Sequence, residues 1–116
     1  MNDRGQAVGL GFKSWDARDG AHRALLWERG RTRDLGSLGG RGSAATAINE
    51  RGQIVGTSAT RSGKDHPFVW ENGRMTDLGT LPGTTSSSAV AINDRGVIVG
   101  TSIVGDNTRA VIWTRR

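Results

Sequence analysis

A tryptophan recurs at a fixed interval: Trp27, Trp70 and Trp113 stand 43 residues apart, and each closes a short apolar phrase. The phrases are Arg23-Ala24-Leu25-Leu26-Trp27, His66-Pro67-Phe68-Val69-Trp70 and Arg109-Ala110-Val111-Ile112-Trp113. A second phrase keeps step with the first, as Asn2-Asp3-Arg4-Gly5-Gln6-Ala7-Val8-Gly9, Asn49-Glu50-Arg51-Gly52-Gln53-Ile54-Val55-Gly56 and Asn93-Asp94-Arg95-Gly96-Val97-Ile98-Val99-Gly100. Two phrases in fixed order describe an array, in which one supersecondary unit cannot bury its own apolar face and must stack on a neighbour. Each residue is therefore read against its copies, and a departure from them is what marks a candidate for function.

The fullest unit, 43–85, is read as two hairpins. It opens with the small residues Ser43-Ala44-Ala45-Thr46-Ala47-Ile48, copied by Ser87-Ser88-Ala89-Val90-Ala91-Ile92, and small side chains let backbones approach closely. At Asn49-Glu50-Arg51-Gly52 the asparagine starts a bend and the glycine accepts positive φ. The β-branched Gln53-Ile54-Val55-Gly56-Thr57-Ser58 returns as a pleated strand. After a polar connection, His66 to Trp70 forms a third strand, Asn72-Gly73 a two-residue hairpin turn, and Arg74 to Gly79 a fourth. No window holds a helical period, so the chain is expected to be all-β, built from antiparallel four-stranded units of about 43 residues resembling β-propeller blades. The units are 1–42, lacking its first strand because Met1 stands where Ile48 and Ile92 stand in the copies; 43–85; and 86–116, lacking its last. Closed propellers typically have at least four blades. Self-association, neighbouring units of a longer parent, or an open stack with exposed sheet edges is the expectation.

Composition narrows the functional classes. With 116 residues, 34% hydrophobic and 18 glycines, the chain suits one small domain with a modest core. The absence of cysteine removes disulfides and thiolate metal sites. No apolar run approaches a membrane span and no export signal opens the chain, so a cytoplasmic location is expected if this is the complete gene product. The net charge of +5, with 14 arginines among 16 basic residues, points to polyanions. Yet Arg4, Arg51 and Arg95 share one turn and Arg31 and Arg74 another, and aromatic residues are too sparse for a stacking platform. Nucleic acid is therefore not the expected partner.

As a set, Ala91-Ile92-Asn93-Asp94-Arg95-Gly96-Val97-Ile98-Val99-Gly100, His66-Pro67-Phe68-Val69-Trp70-Glu71-Asn72-Gly73 and Met75-Thr76-Asp77-Leu78-Gly79-Thr80-Leu81-Pro82-Gly83 resemble the HAF repeat of bacterial proteins. The resemblance covers nearly the whole chain. It implies a module of extracellular or surface proteins, often in long arrays, with a propeller-like fold and no established catalytic residues. The name-giving His-Ala-Phe appears here only as His66-Pro67-Phe68, with Arg-Ala at Arg23-Ala24 and Arg109-Ala110.

Candidate sites thin out under comparison of copies. Asp34 and Asp77, each followed by Leu-Gly, could serve as acid, base or cation ligand, but an aspartate there commonly accepts hydrogen bonds from the following turn. Asp16-Ala17-Arg18-Asp19-Gly20 and Gly105-Asp106-Asn107 lack the spaced oxygen ligands of a calcium loop and read as turns. His22 and His66 hold non-equivalent places, which gives no metal pair. Ser86, Ser87 and Ser88 sit in no nucleophile elbow and read as a polar loop entering a strand. The three recurring tryptophans read as packing residues between blades. Trp15 alone has no copy, and lies in an enlarged first connection; with Lys13 and Arg18 it is the binding candidate, against the plainer reading of a loop tryptophan folded over an exposed blade end. The expected function is non-enzymatic: a structural module or a surface for a protein or glycan ligand, with no catalytic residue, metal, cofactor or membrane contact assigned. Polyanion binding is the alternative, and a propeller-scaffold hydrolase or lyase comes third.

Overall fold

Short β-branched and apolar runs between glycine turns give ten strands in the computed structural model, which describes residues 2, 5–12, 22–62, 64–79, 84–104 and 107–113. They are β1 (Ala7–Phe12), β2 (His22–Glu28), β3 (Arg31–Asp34), β4 (Gly39–Ile48), β5 (Ile54–Thr60), β6 (Asp65–Glu71), β7 (Arg74–Asp77), β8 (Thr84–Ile92), β9 (Ile98–Val104) and β10 (Asn107–Trp113). No helix occurs among the described residues, and none is long and apolar enough to cross a membrane. The protein is all-β, with every strand-to-strand ladder antiparallel. Three sheets form in chain order: β1-β2-β3, then β4-β5-β6-β7, then β8-β9-β10.

The turns take the conformations their residues favour. Asn72 (φ 53) and Gly73 (φ 84) both lie in the left-handed region, as a two-residue hairpin that matches strand twist requires. In the Asn49 turn, the Gly52 amide donates to the Asn49 carbonyl at 3.2 Å and the Asn49 amide to the Gln53 carbonyl at 3.1 Å. Where Thr46 and Val90 add an extra residue, β4 and β8 carry bulges at matched places, between Ala45 and Ala47 and between Ala89 and Ala91. Bulges bend a strand and increase its twist.

Alternation along the middle strands sends side chains to two cores. Phe68 and Trp70 of β6 and Ile54 of β5 join Ala24, Leu26 and Leu35 of the first sheet's segment, with Val8 packed alongside. Val55 and Val69, one residue out of phase, join Ala89 and Ile98 of the third sheet, with Trp113 packed alongside. The second sheet is thus buried on both faces at its centre, where Ile54 and Val55 of β5 and Pro67 to Trp70 of β6 are buried without alternation.

Two expectations change here. Ser87 and Ser88 lie in a strand, as copies of Ser43 and Ala44 should, and the loop expected at Ser86 to Ser88 is absent because β8 already begins at Thr84. Cross-strand hydroxyl pairing draws them in: Ser87 Oγ bonds Ser102 Oγ, and Ser88 Oγ lies 3.3 Å from Thr101 Oγ1. The tryptophans are also not equivalent. Trp70 is 6% exposed but Trp27 is 39% exposed, because Trp27 alternates with Ala24 and Leu26 and so points away from the core that those two residues help to form.

Pro67 sits where Ala24 sits in the first sheet. The Ala24 amide donates to Ser43 Oγ at 2.9 Å, a bond that proline cannot make. Since the β6–β7 ladder ends at Phe68↔Asp77, the missing donor costs no ladder bond. Ser87, the copy of Ser43, pairs instead with Ser102.

Candidate functional site

Two kinds of feature recur from sheet to sheet, and each is built from residues at matched positions. The first is a ladder of asparagine side chains. Asn49 is buried, and its Oδ1 accepts from the amides of Arg51 and Gln53, both at 3.0 Å. Its Nδ2 donates to Gln53 Oε1 at 2.6 Å and, across to the third sheet, to the Asn93 carbonyl at 2.9 Å. The full donor and acceptor capacity of the side chain is used. Asn2 repeats the pattern, with Nδ2 donating to Gln6 Oε1 at 2.7 Å and to the Asn49 carbonyl at 3.0 Å. Further bonds run the same way: Thr46 Oγ1 donates to the Ala89 carbonyl at 2.7 Å and the Glu50 amide to Asp94 Oδ1 at 2.9 Å. Each asparagine reads the backbone of the next turn in the chain, so the contact between sheets has a direction.

The second feature is a groove at the hairpin end of consecutive sheets. In the first it has a volume of about 680 Å³ and is lined by Leu26, Glu28, Arg29, Arg31, Thr32 and Arg33. In the second it is about 390 Å³, lined by Val69, Glu71, Asn72, Arg74 and Thr76. These five stand 43 positions after Leu26, Glu28, Arg29, Arg31 and Arg33. The cross-strand pairs Leu26↔Arg33 and Glu28↔Arg31 recur as Val69↔Thr76 and Glu71↔Arg74. Opposed residues in a ladder share a face, which aims each groove at the following sheet. The charge differs sharply: three guanidinium groups face one carboxylate in the first groove, whereas Arg74 and Glu71 balance in the second.

Two of those arginines show how the first groove is shaped. Arg33 stacks over Trp70 of the second sheet, its guanidinium carbon 5.0 Å from the ring centroid, a cation–π contact worth about 0.5–1 kcal/mol near a surface. Arg29 has φ 53, the conformation its copy Asn72 adopts with less strain; a non-glycine residue held there costs about 1–2 kcal/mol.

Asp34 and Asp77 cap the turns that follow them, their Oδ1 accepting from the Gly36 and Gly79 amides at 2.8 and 2.7 Å. Asp77 also meets His66 Nδ1 at 2.9 Å. Among the described residues no group of three or more His, Asp or Glu side chains could hold a metal ion. Trp15, Lys13 and Arg18 lie outside the described residues, as do Asp16 to Gly20 and Gly105 with Asp106. Local pattern does not single out Arg33, and it marks the asparagines only as turn formers. Both had a signal. Gln6 and Gln53 stand four residues after their asparagines, and Arg33 departs from its copy, Thr76.

Compared with known proteins, the chain matches no family model, no curated protein and no solved structure.

Proposed function

We propose that this chain is a non-enzymatic module of a propeller-like array, each unit of about 43 residues forming one blade, that presents its recurring hairpin grooves as a surface for a protein or glycan ligand. The observation that carries the reading is the asparagine ladder, whose rungs fall 47 and 44 residues apart in sequence and join successive sheets in the same sense. Shape supports it as well: the molecule measures 42 × 38 × 20 Å, and its thin dimension is about the length of a six-residue strand. The resemblance to the HAF repeat adds a bacterial, extracellular setting. In this reading the ladder couples the blades, so Asn49→Ala lowers stability by roughly 2–3 kcal/mol, as expected when buried donors and acceptors lose their partner. Urea unfolding followed by tryptophan fluorescence measures this, and an unchanged midpoint would remove the basis of the reading.

A second reading rests on the excess of guanidinium groups in the first groove. If that groove binds a polyanion, affinity for oligodeoxythymidine falls with salt on a log–log slope of about −2 for three phosphates neutralised, and Arg31→Ala flattens it. Binding that is absent at low salt eliminates this alternative.

A further inference from the structure

We infer that the outer face of the third sheet is a docking surface for the first sheet of a second copy of this chain, seated head to tail; this rests on the blade reading above. Matched positions carry the argument. Val55 and Val69 of the second sheet are 0% and 2% exposed because the third sheet covers them, whereas their copies Val99 and Ile112 are 40% and 68% exposed. Val90, at the bulge position where Thr46 bonds the next sheet, is exposed as well. The third sheet therefore presents the side chains that, one sheet earlier, form half of a closed core.

Part of the other half is also displayed: the first sheet has no copy of β4 or β8, which bring Ala45 and Ala89 to the internal cores, but it keeps the tryptophan strand. In each internal contact the incoming sheet contributes the face bearing its tryptophan: Trp70 to the first core, Trp113 to the second. The corresponding residue of the first sheet is Trp27, which is partly exposed and lies over Gly9 as Trp113 lies over Gly100. Polar groups follow the same translation. Asn93 is exposed, and on docking its Nδ2 would meet the second copy's Asn2 carbonyl, as Asn49 Nδ2 meets the Asn93 carbonyl. Such a contact joins two different faces, so it closes into a ring or grows as an open chain.

Sedimentation velocity over a range of concentrations tests this with two variants. Ile112→Asp places a carboxylate on the donor face, and Trp27→Asp on the acceptor face; Leu25→Asp replaces the latter if circular dichroism shows Trp27→Asp unfolded. The wild-type chain should associate, and each variant alone should weaken association by roughly a hundredfold, because a carboxylate inside an apolar contact must be desolvated. An equimolar mixture of the two should give a one-to-one dimer, each supplying its intact face. A wild-type chain that stays monomeric, a Trp27→Asp protein that still self-associates through like faces, or a folded mixture that stays monomeric would each overturn the inference. A monomeric wild type whose Asn49→Ala variant is still destabilised would leave the blade reading standing, so the two fail separately.

Discussion

The second and third sheets place the same kinds of residue at the same register and give them opposite surroundings. Val55 and Val99 follow matched turns, and Val69 and Ile112 precede the matched tryptophans Trp70 and Trp113. One pair is sealed in a core and the other faces outward. Asn49 and Asn93 differ in the same way: both start a turn and both accept a backbone amide four residues on, at 3.0 Å. Only Asn49 lies buried, with a glutamine beside it; Val97 stands where Gln53 stands. Local sequence sets the strand and the turn, and the neighbouring sheet sets what each side chain is worth.

The two sheets differ most at their asparagines. Asn49→Asp keeps the accepting oxygen but sets a carboxylate against Gln53 Oε1 and the Asn93 carbonyl, and should cost roughly 3 kcal/mol or more. Asn93→Asp should cost under about 0.5 kcal/mol, as surface changes usually do. Paired urea titrations at neutral pH measure both, and similar costs would mean that the ladder contributes nothing specific.

Next comes the apolar pair. Val69→Ala should cost about 2 kcal/mol through lost burial and a cavity. Ile112→Ala removes a larger side chain, yet at concentrations where the chain is monomeric it should move stability by less than about 0.5 kcal/mol. Equal effects would show that the third sheet's outer face is covered in solution even when dilute.

The smallest effect separates the first sheet from the second. Arg29→Asn relieves the left-handed strain and should stabilise by about 0.5–1 kcal/mol, whereas Asn72→Arg should destabilise by a similar amount. Thermal melts resolve such changes. If Arg29→Asn is stabilising but also weakens oligodeoxythymidine retention, the strained arginine belongs to the anion-binding reading; if retention is unchanged, its strain has no such role.

Much of this was legible in the residues. Strand positions followed from β-branched runs, and the Asn72-Gly73 and Asn49 turns from the need for positive φ. The turn-capping part of Asp34 and Asp77 followed from their place before Leu-Gly. Strand starts were less legible, because β4 and β8 extend through glycines and serines whose pairing depends on Ser58, Thr101 and Ser102 opposite them. Trp27 could not be told from Trp70 by local pattern, since both close an apolar phrase and differ only in whether a sheet lies against them. The arginine groove was hidden for a related reason. Arg33 gains its partner from a strand more than thirty residues away, and no local rule encodes that distance.

The spacing of the phrases, the strands and the left-handed glycines follow from local residues, because these depend on backbone sterics and on alternation within a few residues. Which face of each sheet is core, which asparagine is a rung and which is open, and where charge accumulates depend on how the sheets stack. Those properties arise from stacking, in which copies of similar sequence become inequivalent when one has a neighbour on both sides and the others do not.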